Sequence, residues 1–179
     1  MLLEKTTTCC FTGHRPEKLR LGEEEVKGLL RREILRAVGE GYVTFFSGMA
    51  PGVDLWAAEL VLELGRQLPI RLVCALPYPG FGEGNPEPWY SLRHWALYKS
   101  RRVKVISPAY HRGVFQERNR FMVDRSSLLI ALYNGAPGGT RNTIEYARKM
   151  GIATRIIPSW VSPHPSAGKM KRAGSPTLF

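Results

Sequence analysis

Three glycine-rich segments of the sequence carry residue types that bind phosphate groups. They are residues 12–16 (Thr-Gly-His-Arg-Pro), residues 47–54 (Ser-Gly-Met-Ala-Pro-Gly-Val-Asp) and residues 135–145, which begin Gly-Ala-Pro-Gly-Gly-Thr. Glycine lets backbone amides approach an anion, and Arg15 can hold a phosphate through two hydrogen bonds. The second and third segments each precede a predicted helix, whose first amides are free to bind phosphate. Either these segments form one anion site, or they are ordinary turns with exposed charges.

Four side chains in these segments have both a functional and a structural interpretation. Asp54 either caps a helix or accepts a hydrogen bond from a ribose hydroxyl. Thr140 and Thr143 offer hydroxyl groups near a helix start. Glu145 lies about one helical turn further on, where it either reaches back to the site or is only an acid favoured by the helix dipole.

A charged run at residues 116–120 (Gln-Glu-Arg-Asn-Arg) is the fourth segment that could carry chemistry. A solvated helix face is the usual interpretation of such a run. This run, however, lies between the apolar residues Phe115 and Phe121, and it precedes the strand that leads into the third glycine-rich segment. We therefore expect part of the run to contribute to the same site.

Other common sites are disfavoured by the sequence. No Gly-Lys-Ser or Gly-Lys-Thr follows the glycines, and no strict Gly-x-Gly-x-x-Gly is present, which argues against a nucleoside triphosphatase or a standard dinucleotide dehydrogenase. The histidines, at positions 14, 94, 111 and 164, lack the spacing of metal ligands. We expect neither a cofactor nor a metal ion.

Short apolar strands and helices alternate along the chain. Strands are predicted at residues 6–12, 42–46, 70–76, 103–107, 128–133 and 152–157, and helices at 22–39, 53–65, 89–101, 114–125 and 141–150. This alternation is typical of a mostly parallel sheet flanked by helices, in a doubly wound α/β domain. Such sheets bind ligands at the carboxyl ends of their strands, where the glycine-rich segments lie.

The long irregular segment after the third strand, residues 77–90, is expected to cover the sheet edge or to form a lid over the site. Its aromatic residues Tyr78, Phe81 and Trp89 either stack on a base or simply cover that edge. Both interpretations remain open from the sequence.

Length and composition predict one folding unit. The chain has 179 residues, of which 44% are hydrophobic, and it has neither an apolar run of about 20 residues nor a secretory signal pattern. We expect a cytoplasmic domain over residues 1–159, no membrane contact, and a flexible basic tail over residues 160–179. The three cysteines lie in apolar stretches and are expected to be buried thiols.

The charge of the chain favours anionic partners. Its formal net charge is +11, with a pI near 10.0. Between Arg93 and Arg125 there are nine Lys or Arg residues against only Glu117 and Asp124. Such a basic surface attracts anionic small molecules and nucleic acids alike.

The motifs, taken together, resemble the YpsA-like branch of the SLOG superfamily. The resemblance rests on residues 12–16, 47–59, 117–119 and 138–140, and it runs from about residue 8 to residue 157. It implies a single Rossmann-like, three-layer domain, and a homo-oligomer, as is usual among relatives. The superfamily includes the DNA-processing protein Smf/DprA and the LOG phosphoribohydrolases.

The resemblance also implies residue roles. In the LOG enzymes an Arg and a Glu carry catalysis, and Arg118 and Glu145 occupy the matching positions here. Glu145 would polarise the ribose or activate water, and Arg118 would orient the sugar phosphate or stabilise the departing charge. Where the LOG motif has its second Gly-Thr, this chain has Arg141 and Asn142, a departure that leaves phosphate binding plausible and weighs against hydrolysis.

Three hypotheses for function follow. The first is a sensor or regulatory module that binds a nucleotide-derived, phosphate-bearing ligand. The second is a hydrolase of nucleotide N-glycosidic bonds that uses Arg118 and Glu145, and the third is a binder of single-stranded nucleic acid. The expected ligand-binding residues are Gly13, His14, Arg15, Ser47, Gly48, Gly52, Asp54, Pro77, Asn119, Gly138, Gly139, Thr140 and Thr143.

Overall fold

Strands and helices alternate strictly along residues 4–100 and 102–159, the part of the chain that the computed structural model describes. The strands are β1 (Thr8–Gly13), β2 (Thr44–Ser47), β3 (Arg71–Leu76), β4 (Val103–Val105), β5 (Leu128–Tyr133) and β6 (Ala153–Pro158). The helices are α1 (Glu23–Gly39), α2 (Val53–Leu64), α3 (Trp89–Ser100), α4 (Val114–Asp124) and α5 (Gly139–Lys149). The predicted order is confirmed, and most of the predicted ends differ by one or two residues.

All six strands are parallel and form one sheet in the order β4-β3-β2-β1-β5-β6. Strand β1 lies in the middle, with Cys9 opposite Phe45 of β2 on one side and Leu128 of β5 on the other. Strands β1 and β5 are almost entirely buried, as their continuous apolar sequences predict, whereas the edge strand β4 is exposed.

Helices cover both faces of the sheet. One core cluster contains residues of α1, α2 and α3, and the other contains residues of α4 and α5. The helices on the two faces of the sheet therefore meet at the neighbouring strands β1 and β5. The loops that follow these two strands lead to opposite faces of the sheet and diverge there. In doubly wound sheets, such a switch point is where ligands bind.

The sequence explains why the helices adopt these positions. Helix α1 buries Val26, Leu30 and Ile34 along one face and begins with three glutamates, which suit its amino end. Helix α2 is apolar nearly all round, and eight of its twelve residues are buried between α1, α3 and the sheet. Helix α2 is therefore sandwiched between two helices and the sheet.

The three cysteines are free and buried, as predicted. Burial raises the pKa of Cys10 to about 12 and that of Cys74 to about 11. These thiols are therefore protonated at neutral pH and are poor nucleophiles.

Two further expectations from the sequence concern membrane-spanning helices and the basic tail. No helix within residues 4–100 and 102–159 is long and apolar enough to cross a membrane. The predicted basic tail, residues 160–179, lies outside the described residues, so the domain boundary at residue 159 stays a prediction.

Candidate ligand-binding site

A cavity of about 240 Å³ lies at the switch point, at the carboxyl ends of β1 and β5. Its walls come from the loop after β1, the starts of α2, α4 and α5, and one residue of the segment between β3 and α3. Nine of the predicted site residues line it: Gly13, His14, Arg15, Asp54, Arg118, Asn119, Gly138, Gly139 and Thr140. Four sequence segments far apart along the chain thus converge on one space.

Arg118 is the most deeply buried cation of the cavity, with 5% of its surface exposed. Its Nη1 donates a hydrogen bond to the carbonyl oxygen of Gly48, and its Nε donates to Oδ1 of Asn119 at 2.8 Å. The guanidinium also lies 5.8 Å from the ring centre of Phe81. Burial lowers the pKa of Arg118 from its ordinary value, while the charge of Asp54 opposes that shift. These contacts fix the guanidinium at the wall of the cavity.

Asp54, in the first turn of α2, is the carboxylate that faces Arg118 across Gly48. Burial raises the pKa of Asp54 to about 6, and the nearby positive charge of Arg118 limits that rise. The amide nitrogen of Ala50 lies 3.5 Å from Oδ2 of Asp54. The carboxyl group therefore changes its protonation state close to neutral pH.

The raised pKa of Asp54 predicts a pH dependence of stability. Between pH 4 and pH 6 the folded protein holds a proton on Asp54 that the unfolded chain has lost, so stability falls as pH rises through this window. The contribution of this one group is at most about 3 kcal/mol. We expect Asp54→Asn to remove it, so that the variant gains free energy of unfolding relative to the natural protein between pH 4 and pH 6. Urea unfolding at a series of pH values measures this difference, and a constant difference would contradict the assignment.

Several predicted site residues do not line the cavity, among them Ser47 and Pro77. Ser47 donates from Oγ to the backbone carbonyl of Asp54 at 2.7 Å and accepts from the amide of Met49 at 3.1 Å. Pro77 accepts a backbone hydrogen bond from Ser107 at 3.0 Å, on the far side of β3 from β1. These contacts fix the loops in place.

Gly48 and Gly52 are required by the close approach of neighbouring groups. A Cβ at position 48 would lie 2.5 Å from Nη1 of Arg118 and 2.6 Å from Oδ2 of Asp54. At Gly52, where φ is 94°, a Cβ would lie 2.8 Å from the carbonyl oxygen of His14. The glycines of this loop therefore bring the first and second segments together.

Thr143 connects α4 to α5. Its Oγ1 accepts a hydrogen bond from Nδ2 of Asn119 at 3.0 Å and donates to the carbonyl of Gly139 at 2.8 Å. Asn119 in turn accepts from Arg118. This chain of hydrogen bonds sets the position of the α5 amino end relative to the buried guanidinium.

Glu145 does not reach the cavity. Its side chain is 55% exposed, and its Oε1 lies 2.7 Å from Nε of Arg141 in an ion pair on the surface of α5. The buried face of α5 carries Thr140, Thr143 and Ile144, and position 145 lies a further 100° round the helix from Ile144. The carboxylate and Arg118 are therefore not brought together around a sugar.

His14 contributes a neutral ring to the cavity wall. It is 5% exposed, and its ring stacks on Tyr133 with 5.6 Å between ring centres. Burial and the charge of Lys18 lower its pKa below the ordinary value, so the imidazole is uncharged at pH 7. Its Nε2 has no hydrogen-bond partner among the residues that the structure describes.

Comparison with known families decides the identity of the fold around this cavity. Residues 9–154, most of the chain, match the YpsA family model, described as the YspA SLOG family. The chain belongs to this family. The resemblance seen in the sequence is confirmed, and the matched region contains the whole cavity of this SLOG protein.

Curated relatives of this SLOG protein carry the name UPF0398 protein. The sequence is 29% identical over 150 residues to such a protein of Bacillus thuringiensis (strain Al Hakam), with 78% of this chain and 82% of the relative covered. A UPF0398 protein of Bacillus cereus (strain AH820) is 28% identical over the same length and coverage.

Solved structures share the fold of this SLOG protein. DNA processing protein A (DprA) from Streptococcus pneumoniae superposes with a TM-score of 0.61 at 18% identity, over 87% of this chain and 52% of that chain. DprA from Helicobacter pylori, described with a single-stranded DNA binding mode, gives 0.61 at 18% identity, over 87% and 67%. TM1055 gives 0.53 at 19% identity, over 83% and 72%. This SLOG protein therefore spans about half of the Streptococcus protein.

Three lining residues of this SLOG protein, Lys18, Phe81 and Phe115, lie outside the four segments in which the sequence predicts a site. Lys18 lies in a short turn after the first glycine-rich segment, where no motif marks it. Phe115 was recognised only as an apolar neighbour of the charged run, and Phe81 was left between two interpretations. Phe81 is 7% exposed and both packs in the core and lines the cavity.

The aromatic residues around Phe81 form a cluster at one side of the cavity. Tyr78, Phe81, Tyr110 and Phe115 lie with ring centres 5.6–6.3 Å apart. Tyr110 is 64% exposed and Phe115 is 39% exposed, so part of the cluster is open to solvent. Glu83 fixes the segment that holds Phe81 through a 3.0 Å contact with the buried Arg93.

No group of three or more potential metal ligands exists among the described residues of this SLOG protein. The cavity offers backbone amides, cationic side chains, aromatic rings and the carboxyl group of Asp54.

Proposed function

We propose that this SLOG protein binds a nucleotide-derived, phosphate-bearing ligand in the cavity and acts as a sensor or regulatory module without turnover. The observation that carries the proposal is the convergence of the α5 amino end, at Gly139 and Thr140, with Arg15, Lys18 and Arg118 on one cavity. A helix amino end and cationic side chains around the same space favour an anion.

The charge of the lining supports an anionic ligand. Three cationic side chains, Arg15, Lys18 and Arg118, face one carboxylate, Asp54, among the described lining residues. The surplus is about two positive charges, to which the amino ends of α2 and α5 each add about half a charge. A phosphate monoester or a diphosphate carries a negative charge of matching size.

The aromatic cluster supports a base at the other side of the cavity. Phe81 and Phe115 line the space, and Phe115 and Tyr110 are partly open to solvent. Stacking of a base on an aromatic ring stabilises a complex by about 1–3 kcal/mol. A ligand with a phosphate at one end and a base at the other uses both walls.

A hydrolase is the second candidate, and one observation favours it. Asp54 lines the cavity and has a pKa of about 6, which suits a general acid or base near neutral pH. Glu145, the residue that the resemblance implied, is exposed and paired with Arg141. If hydrolysis occurs, Asp54 and not Glu145 is the carboxylate positioned to support it.

A ligand panel tests binding against hydrolysis. The purified protein is incubated with AMP, ADP-ribose, NAD, ribose 5-phosphate and inorganic phosphate, while thermal stabilisation and release of free base are followed. We expect ADP-ribose or AMP to raise the melting temperature by several degrees without base release, and ribose 5-phosphate to do so less because it lacks the base.

The variant Arg15→Gln/Lys18→Gln should lose at least tenfold in affinity, because it removes two of the three cations. Arg148→Gln/Lys149→Gln, which removes the same charge at the opposite end of α5, is the matched control and should bind normally. Base release that disappears in Asp54→Asn would instead establish the hydrolase. No response to any ligand would contradict the proposed function.

A further inference from the structure

Strand β4 leaves one edge of the sheet open. It is the last strand in the order of the sheet, and all three of its residues are exposed. Two of them are apolar, since Val103 is 46% exposed and Val105 is 38% exposed. A sheet edge of this kind can accept a further strand through main-chain hydrogen bonds.

The backbone groups of Val103 and Val105 point away from β3. The carbonyl oxygen of Arg102 accepts a hydrogen bond from β3 at 2.8 Å, and the amide of Ile106 donates one to β3 at 2.9 Å. Because the backbone groups of every second residue in a strand point to the same side, those of Lys104 also face β3. The amides and carbonyl groups of the two valines therefore face outwards, and no residue that the structure describes bonds to them.

The side chains of β4 alternate between an apolar and a cationic face. The residues of β3 that pair with the two valines, Cys74 and Leu76, belong to the core cluster to which α1, α2 and α3 contribute. Val103 and Val105 therefore lie on that face of the sheet, and Lys104 between them points to the opposite face. A strand added at this edge matches the alternation if it carries apolar residues on the first face and anionic residues on the second.

The chain around this edge is rich in cations. Lys99, Arg102 and Lys104 are exposed, and none of them forms an ion pair with a residue that the structure describes. The sequence from residue 88 to residue 116 contains no Asp or Glu. Complementary charge across an interface speeds association and selects the partner, so an acidic partner is favoured here.

Other occupants fit the edge less well. A second copy that paired through its own β4 would bring two cationic edges together, and a lysine such as Lys104 is a usual protection of edge strands against such pairing. Residues 160–179 include Lys169, Lys171 and Arg172 and no acidic residue, so their charge does not suit the edge either. A nucleic acid matches the charge, but it supplies no strand to pair with the outward amides and carbonyl groups.

We propose that β4 binds an extended acidic segment of a partner protein, which adds a strand to the sheet. The backbone of the segment pairs with the outward groups of Val103 and Val105. Its apolar side chains contact the two valines, and its carboxylates approach Lys104 and the neighbouring cations. No residue of β4 lines the proposed nucleotide cavity, so this surface goes beyond the proposed function.

Titration of the full chain with a short fluorescent peptide of alternating glutamate and valine tests the proposal. Two control peptides are used: one has lysine in place of glutamate, and the other has the same composition with all glutamates before all valines. We expect the alternating acidic peptide to bind at least tenfold more tightly than either control, because only it matches both the charge and the two faces of the edge. Absence of binding at millimolar concentration, or equal binding of the rearranged peptide, would overturn the proposal.

Variants of the edge locate the binding. Val105→Pro removes an outward amide that makes no bond to β3, a place where proline is tolerated, so its melting temperature should change little while peptide affinity falls at least tenfold. Lys104→Glu reverses an exposed charge of the edge and should cause a loss of the same size. Lys149→Glu, which reverses an exposed charge on α5, is the matched control and should keep the affinity within twofold.

The same variants exclude the other occupants of the edge. Unchanged peptide affinity in both Val105→Pro and Lys104→Glu would overturn β4 as the binding surface. A dimer of the chain that dissociates in Val105→Pro would assign the edge to a second copy. An oligonucleotide that displaces the peptide and binds Val105→Pro as well as the natural protein would assign it to nucleic acid, and either result would overturn the acidic segment as its partner.

Discussion

Replacing Gly52 by alanine is expected to destabilise the protein by about 2–5 kcal/mol. Part of the loss is the left-handed backbone, with φ of 94°, which costs about 1–2 kcal/mol for a residue with a Cβ. The rest is overpacking, since the new Cβ would lie 2.8 Å from the His14 carbonyl oxygen and 2.9 Å from Cδ of Pro16, at about 1–3 kcal/mol. Urea unfolding measures the change.

Gly28→Ala is the matched control for Gly52→Ala. Gly28 is exposed in α1, and a Cβ there would meet nothing within 4 Å. We expect this variant to gain up to about 1 kcal/mol, because alanine favours the helix. If both variants unfold at the same urea concentration, the first and second glycine-rich segments do not make the tight contact described at Gly52.

Replacing Arg118 by methionine is expected to cost about 3 kcal/mol at pH 8 and clearly less at pH 5. The variant loses two hydrogen bonds of a buried charged group, to the Gly48 carbonyl and to Asn119. It also leaves the buried Asp54 carboxylate without its neighbouring positive charge. At pH 5 Asp54 is mostly protonated in the folded protein, so that second loss is smaller.

Arg120→Met, on the same helix but exposed, controls for the change in charge and should alter stability by less than about 0.5 kcal/mol. In an Asp54→Asn background, Arg118→Met should cost the same free energy of unfolding at pH 5 and pH 8. A pH-dependent cost that persists in that background would show that Arg118 acts on another titrating group.

The alternation of elements was readable from the sequence because each strand is short and apolar and each helix has a periodic face. Helix α1, with Val26, Leu30 and Ile34 on one side, is the plainest example. The strand order could not be predicted, because several orders of six parallel strands with right-handed crossover connections fit the same alternation of strands and helices. The observed order places β1 beside β5 and thereby fixes where the glycine-rich segments meet.

The sequence predicted the parts of the candidate site that depend on backbone chemistry. It did not predict the parts that depend on the direction of a side chain. Glycines and the residues next to them, such as Arg15 and Gly139, were found because close backbone approach requires particular residue types. The sequence left the position of Glu145 open, because the distance of a residue along a helix does not give the direction of its side chain round the helix. Lys18 carries no local signal, since its position depends on how the loop after β1 folds back.

The α5 amino end offers the most direct test of the claim that the cavity binds phosphate. Gly139 is exposed at the first turn of α5, and a Cβ there would meet nothing within 4 Å, so larger residues fit without strain. Calorimetric titration with ADP-ribose, or the best ligand of the panel, should compare Gly139→Glu with Gly139→Gln. The two variants are equal in size and differ in one negative charge.

We predict that Gly139→Glu folds as stably as Gly139→Gln, because an acid suits a helix amino end, and that its affinity is at least tenfold lower, because its carboxylate competes with the phosphate. Equal affinities in the two variants would contradict a phosphate at this helix end.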